Sequence, residues 1–180
     1  MSPPIVWIFT SSVFVALMCA AVWSDATTGR LPNRITVTAV VAGLAVRLLA
    51  GPGALLGGAT GLLLGLALGI PFFIVGAIAG GDVKLLAAVG AFLGPSELLW
   101  GALLGAALGL LVVVEEIVRR RVTIPMLLRT KDLLAYAVTL GRKGRRPSPG
   151  EPGSVSVPYG IAIAAGAIAA WFLPFAEVVR

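Results

Sequence analysis

The sequence predicts an all-α fold, a polytopic integral membrane bundle with about six transmembrane helices. Of its 180 residues, 58% are hydrophobic and only 12% are charged, and the mean hydropathy is +1.01, which excludes an ordinary soluble domain. Uncharged apolar runs recur along the chain, and several reach the roughly 20 residues needed to span hydrocarbon. The basic residues also fall almost entirely on one side of the predicted membrane.

The first three apolar runs predict three long membrane helices. The first spans about Ile5–Trp23, and we interpret it as a retained helix because no Lys or Arg precedes it, unlike a cleaved signal peptide. The second spans about Ile35–Ala50 and follows Pro32-Asn33, a pair typical of a helix start. The third spans about Ala54–Ile78 and is rich in Gly and Ala, which permits close helix packing.

The remaining runs predict three further segments. The fourth, Val83–Leu93, follows an aspartate and would rise only about 17 Å as a helix, too short to cross unaided. It therefore either begins earlier, near Ala79, or crosses where neighbouring helices thin the bilayer. The fifth spans about Leu98–Val118 and the sixth about Val155–Phe175.

The basic residues predict that the N-terminus and the C-terminus both lie outside. Six crossings from an outer N-terminus leave only Arg47 and Arg180 outside. Twelve basic residues then lie inside, as the positive-inside rule expects: Arg30, Arg34, Lys84, Arg119, Arg120, Arg121, Arg129, Lys131, Arg142, Lys143, Arg145 and Arg146. In this topology Asp25 ends the first helix and Asp82 begins the fourth on the same inner face, where they could meet.

One basic cytoplasmic loop, residues 119–154, interrupts what we predict to be a single membrane-embedded domain over residues 1–180. Its middle, Ile124–Leu140, mixes apolar and charged residues and predicts an amphipathic helix on the cytoplasmic leaflet. Its tail, GRKGRRPSPGEPGS, predicts disorder. Attraction to anionic lipid explains these charges, so no nucleic-acid partner is predicted.

The amino-acid composition leaves carboxylates as the candidate catalytic groups. The chain has no histidine and a single cysteine, Cys19, which excludes an intrachain disulfide and a thiolate zinc site. We predict no metal and no cofactor. Six of the eight acidic residues have ordinary explanations as helix-surface ion pairs or solvated groups. Asp25 and Asp82 remain, although Asp82 also fits a helix N-cap and Asp25 a polar helix end.

A pair of carboxylates suits the hydrolysis of a peptide bond. Two carboxylates a few ångströms apart do not both ionise readily, so they share one proton. The ionised partner takes a proton from water, while the protonated partner polarises the scissile carbonyl and later aids the leaving amine. Gly80 and Gly81, directly before Asp82, would let the backbone approach an extended peptide closely.

Three motifs resemble those of the type IV prepilin peptidases, which are integral membrane aspartic proteases. DATTGRLPN at residues 25–33 resembles the first catalytic motif, AGGDVKLLAAVGAFLG at 79–94 resembles the Gly-x-Gly-Asp motif, and SVPYGIAIAAG at 156–166 resembles the start of the family's last helix. The resemblance covers residues 5–175 apart from the basic loop, and is strongest to the short form associated with tight-adherence (Flp) pili. Ala79 stands where the second motif has its first glycine.

This resemblance implies that Asp25 and Asp82 are the catalytic pair of a bacterial inner-membrane enzyme. It implies a prepilin or pseudopilin substrate, cleaved after a short basic leader on the cytoplasmic side. The amino-terminal methyltransferase domain of long family members has no counterpart here, so methylation is not predicted. By the same resemblance, the residues that support the two aspartate motifs are Gly80, Gly81, Lys84, Pro32 and Asn33. Pro158, Tyr159 and Gly160 either shape the site or mark only the start of a helix.

Two alternatives remain open from the sequence. The first is a related intramembrane aspartic peptidase with another substrate, such as a preflagellin, which processing assays with different leaders would distinguish. The second is a membrane transporter or scaffold without enzymatic activity, since intramembrane aspartates also serve proton relays. A transporter predicts pH-dependent flux and no cleaved product.

Overall fold

The fold is an all-α bundle, as predicted, and the computed structural model describes residues 3–74, 77–120 and 159–173 of it. No strand occurs within these residues. Six helices follow in order: α1 Pro3–Thr28, α2 Asn33–Ala50, α3 Pro52–Ile74, α4 Gly80–Leu93, α5 Pro95–Arg120 and α6 Tyr159–Phe172. Four stretches are long and apolar enough to cross a membrane: Trp7–Thr28, Asn33–Ala50, Pro52–Ile74 and Pro95–Val112. The chain is therefore a helical membrane protein.

The short helix α4 lies at the centre of the bundle. The other five helices form a ring in the order α1, α2, α3, α5 and α6, and α4 packs against α2, α3, α5 and α6 inside it. Of residues 82–93 only Lys84 is exposed. Because protein rather than lipid surrounds α4, its 14 residues, about 21 Å of helix, need not match the bilayer thickness. It begins at Gly80, beside the earlier of the two starts considered from the sequence.

Two glycine stripes allow the helices to approach backbone to backbone. Gly58, Gly61, Gly65 and Gly69 of α3 are buried, and a Cβ on Gly61 would lie 2.8 Å from the backbone of Gly94 at the end of α4. On α5, a Cβ on Gly105 would lie 2.9 Å from the Ala162 carbonyl oxygen of α6. The prediction that the glycine-rich third segment packs closely is confirmed.

An aromatic cluster joins α1, α4 and α6 away from the aspartates. The rings of Phe14 and Phe92 lie 5.1 Å apart, and those of Phe14 and Trp171 stack at 4.9 Å. The Trp171 indole N–H donates to Ser11 Oγ at 2.9 Å, so the polar atom of this large ring is satisfied. These contacts fix α1 against the core at the end opposite its polar turn.

Helix α1 is longer than predicted, since it continues to Thr28 rather than ending near Trp23. The apolar run stops there, but the hydroxyls of Thr27 and Thr28 donate to carbonyl oxygens one turn back, at 2.7 Å each. The helix ends at Gly29, whose φ of 61° is left-handed. Asp25 therefore lies inside the last turn of α1, not after its end.

Other helix boundaries also differ from the predictions. Helix α2 begins at Asn33 rather than Ile35, directly after the extended Pro32. The described helix α3 ends at Ile74, and Ile78 lies outside it. The Ala77 N–H donates to the Phe72 carbonyl at 2.8 Å. Helix α5 begins with Pro95, three residues earlier than predicted, because proline fits the first position of a helix.

Several predictions concern residues outside the described ranges. The amphipathic helix predicted at 124–140, the disordered tail at 141–154 and Pro158 all fall between the described parts of α5 and α6. The ends predicted for the sixth segment, 155–158 and 174–175, also lie outside them, and its described helix spans Tyr159–Phe172.

Candidate active site

Asp25 is held by a polar turn at the end of α1. The Ser24 hydroxyl donates to the Arg30 carbonyl at 2.9 Å, and the Thr28 hydroxyl lies 3.1 Å from the same oxygen. The Gly29 N–H donates to the Asp25 carbonyl at 2.8 Å. These bonds fold the chain back after the helix, and the Asp25 side chain points inward with only 8% of its surface exposed.

Asp82 lies in the first turn of α4 and is 5% exposed. Its Oδ2 accepts the Ala79 N–H at 2.9 Å, which satisfies one of the free donors at the start of the helix. Ala79, not Asp82, occupies the N-cap position that the sequence offered as a simple explanation. Ala79 is exposed and extended, with φ −82° and ψ 158°, so this position does not need the glycine of the motif.

The two carboxylates lie at one end of the bundle, close enough to repel each other electrostatically. They are separated by 57 residues in the chain. The packing of α1 against α2 and α6, and of α4 against the same two helices, brings their polar ends together. The arrangement is a buried aspartate pair with backbone donors nearby, which is suited to sharing a proton and activating water.

The start of α6 closes over Asp25. A Cβ placed on Gly160 would lie 2.6 Å from Asp25 Oδ2, so only glycine fits without moving the carboxylate. The backbone N–H groups of Gly160 and Ile161 contribute favourable electrostatics to the carboxylate as a whole. Oδ2 itself has no hydrogen-bond partner among the described residues. Tyr159 lies within electrostatic range of Asp82, so α6 borders both members of the pair.

Leu31, in the first motif, packs against the second and third motifs, and the sequence did not predict a role for it. A Cβ on Gly81 would lie 2.7 Å from Leu31 Cβ, and one on Gly160 would lie 3.2 Å from Leu31 Cδ1. Leu31 therefore fills the space beside Gly81, and the expected close approach of a substrate peptide at Gly80 and Gly81 stays a prediction. The first motif shows a hydrophobic residue before Pro32-Asn33, but the sequence does not show which residues it contacts in the folded protein.

The residues predicted as motif support fall around this pair. Pro32 is the extended residue before α2, and its carbonyl accepts the Ile35 N–H at 3.0 Å. A Cβ added to Gly80 would lie 3.4 Å from the Phe73 ring, which is an ordinary van der Waals contact. The Lys84 ammonium donates to Asn33 Oδ1 at 2.7 Å. The described residues contain no group of three or more His, Cys, Asp or Glu side chains that could hold a metal ion.

Comparison with known proteins adds one finding. The model of the type IV leader peptidase family matches residues 12–114, more than half of the chain. The matched region includes Asp25, Asp82, Leu31 and the Asn33–Lys84 contact, but not α6. No curated protein and no solved structure matches the chain. With both aspartates inside the matched region of a helical membrane bundle, the chain belongs to the type IV leader peptidase family.

Proposed function

We propose that this protein is a membrane aspartic endopeptidase that removes the basic leader peptide from prepilins or pseudopilins. The observation that carries the proposal is the buried pair of Asp25 and Asp82, brought from two distant segments to one end of the bundle. Membership of a leader peptidase family supplies the class of reaction. The pair supplies the groups that would perform it.

In the proposed reaction the aspartate pair carries one proton. The ionised carboxylate takes a proton from a water molecule, whose oxygen attacks the scissile carbonyl. The protonated carboxylate donates a hydrogen bond to the carbonyl oxygen as negative charge develops there. When the tetrahedral intermediate collapses, the carbon–nitrogen bond breaks and a carboxyl proton passes to the leaving amine. The N–H groups near Asp25 and Asp82 hold the carboxylates in place through these steps.

We place the aspartate end of the bundle at the cytoplasmic face of a bacterial inner membrane. Arg30, Arg34 and Lys84 are all exposed at this end. Arg47 lies at the opposite end and is directed inward, where its Nε donates to the Phe92 carbonyl at 2.8 Å. This distribution agrees with the positive-inside rule. A prepilin leader, which lies in the cytoplasm before cleavage, would then meet the carboxylates on the correct side.

We further propose that the chain works as one domain, because the other five described helices form a ring around α4. The basic segment predicted as residues 119–154 would contact anionic lipid. Its first two residues are the last two of α5, which continues to Arg120, and the rest follow that helix.

The test is cleavage of a co-expressed Flp-type prepilin, seen as a shift in gel mobility. We expect the native chain to cleave it, and the isosteric variants Asp25→Asn and Asp82→Asn to lose cleavage at equal membrane levels. Glu115→Gln, which converts an exposed carboxylate on α5 to an amide, is the matched control and should retain cleavage. Normal processing by either aspartate variant would remove that residue from the mechanism. No processing by the native chain would reject the prepilin substrate.

A further inference from the structure

A polar contact between described residues links the two aspartate-bearing segments at the surface. Lys84 Nζ donates to Asn33 Oδ1 at 2.7 Å across 51 residues of sequence. Lys84 is the only exposed residue between Asp82 and Leu93, and its charged group bonds to Asn33. An ammonium donor makes this a charge-assisted hydrogen bond, which is shorter and stronger than a neutral one.

The segment from Gly29 to Asn33 is fastened to both sides of the active site. At its start, the Ser24 and Thr28 hydroxyls hold the Arg30 carbonyl against the last turn of α1, where Asp25 lies. In its middle, Leu31 packs on Gly81. At its end, Asn33 holds Lys84. The 29–33 segment thus contacts α4 at Gly81 and at Lys84, and Asp82 lies between these two residues in the sequence.

We propose that Asn33 and Lys84 are positioning residues whose hydrogen bond, together with Leu31, sets the relative placement of the Asp25 and Asp82 side chains. The inference rests on the proposed function, since it assigns these residues to the same aspartate pair. Neither residue touches the reacting atoms. They act by preventing the 29–33 segment from sliding along α4, a displacement that would change how the carboxylates face each other and a bound peptide bond.

A plain membrane anchor is the competing explanation for Lys84, and it predicts different behaviour. An anchoring lysine contributes its charge, so any neighbouring basic residue on the same face would serve equally. A positioning lysine contributes a bond to one oxygen atom. Since misplacement of reacting groups by 1 Å can cost about a hundredfold in rate, loss of that bond should lower kcat rather than raise KM.

The experiment compares Lys84→Met, Asn33→Leu and their combination in the full-length protein in detergent. The probe is a synthetic peptide with a basic leader, a glycine before the cleaved bond and an apolar segment after it. We expect each single variant to lower kcat by about tenfold or more at little-changed KM. The double variant should be no slower than either single variant, because both remove the same interaction. Asn33→Asp keeps the acceptor oxygen and should recover kcat relative to Asn33→Leu.

Arg34→Met is the matched control, because it removes the same charge from the neighbouring exposed position and should leave kcat unchanged. An equal loss in Arg34→Met, an unchanged kcat in Lys84→Met, or losses that multiply in the double variant would overturn the proposal.

Hydrogen–deuterium exchange separates this proposal from the proposed function. Exchange at residues 29–33 and at the start of α4 should rise in Lys84→Met and Asn33→Leu and stay native in Arg34→Met. Unchanged exchange would refute the positioning role even if the peptide is cleaved. Raised exchange with no cleavage of the peptide by the native protein would reject the substrate while supporting the role of Asn33 and Lys84 in holding the segment.

Discussion

At the scale of single residues, the site is defined by how little space surrounds Asp25. The carboxylate is 8% exposed, and its Oδ2 faces the Cα of Gly160 without a hydrogen bond from any described residue. Burial without a partner is costly for a polar atom, so Asp25 Oδ2 adds nothing to stability in this position, which supports the catalytic role proposed for it. Glycine at residue 160 is the condition that allows this placement.

We predict that Gly160→Ala will lower cleavage by about a hundredfold while the protein remains folded. The added Cβ would lie 2.6 Å from Oδ2 and 3.0 Å from Cγ of Asp25, so the carboxylate must move. The measurement is kcat/KM on a leader peptide, together with a thermal unfolding curve.

Gly109→Ala provides the control for this prediction. A Cβ on Gly109 would make ordinary contacts with residues near the start of α6, at 3.5 Å with Ala162 and 3.7 Å with the Tyr159 ring. If both variants are equally active, the close approach of Gly160 to Asp25 has no catalytic importance.

At the scale of helices, α3 and α4 are held together by backbone contact along the glycine stripe. A Cβ on Gly61 would contact the Gly90 carbonyl oxygen and lie 2.8 Å from Gly94 Cα, and neither backbone atom can turn aside as a flexible side chain would. The position of α4, and with it Asp82, therefore depends on the absence of side chains on this face of α3.

We predict that Gly61→Ala will destabilise the protein by about 1–3 kcal/mol, the usual cost of overpacking a tight interface. Gly53→Ala, in the first turn of the same helix, has nothing within 4 Å of its Cβ and should be neutral or slightly stabilising. Thermal unfolding in detergent measures both. Equal stability of the two variants would contradict the close-packed interface.

Helix type and order could be predicted from hydropathy, but helix ends and side-chain contacts could not. The apolar run ends at Trp23, whereas the helix continues to Thr28, because hydroxyl groups that lower hydropathy also bond back to the helix. The placement of Asp25 and Asp82 at one end could be inferred from charge and topology. The packing of Leu31 on Gly81 and the Asn33–Lys84 bond could not, since they join segments about 50 residues apart and depend on the packed helices.

At the scale of the whole molecule, the described residues enclose one helix within a ring of five others, and basic side chains lie at both ends of the bundle. Arg30, Arg34 and Lys84 are exposed at the aspartate end. At the other end Arg47 is turned inward and bonds the Phe92 and Ala54 carbonyls. The Arg47 cation at the C-terminal end of α4 interacts favourably with the dipole of that helix. Because it is turned inward, it contributes little to the charge of the outer surface.

We predict that the aspartate end faces the cytoplasm. In a Cys19→Ala background, Arg30→Cys should react with a membrane-impermeant maleimide only in inverted vesicles, and Ser96→Cys, at the opposite end, only in intact cells. Both positions are exposed, so both are suited to labelling. Labelling of the Arg30→Cys variant in intact cells would reverse the proposed orientation.

The burial of both carboxylates has a consequence for how fast such an enzyme can work. Asp25 and Asp82 are 8% and 5% exposed, too enclosed for an extended polypeptide to lie across them. If the proposed reaction takes place at this pair, we expect each turnover to include a gating step that exposes the carboxylates, separate from bond cleavage. Selectivity would be exercised partly at the gate, because abundant single-pass proteins that fail to open it never encounter the carboxylates.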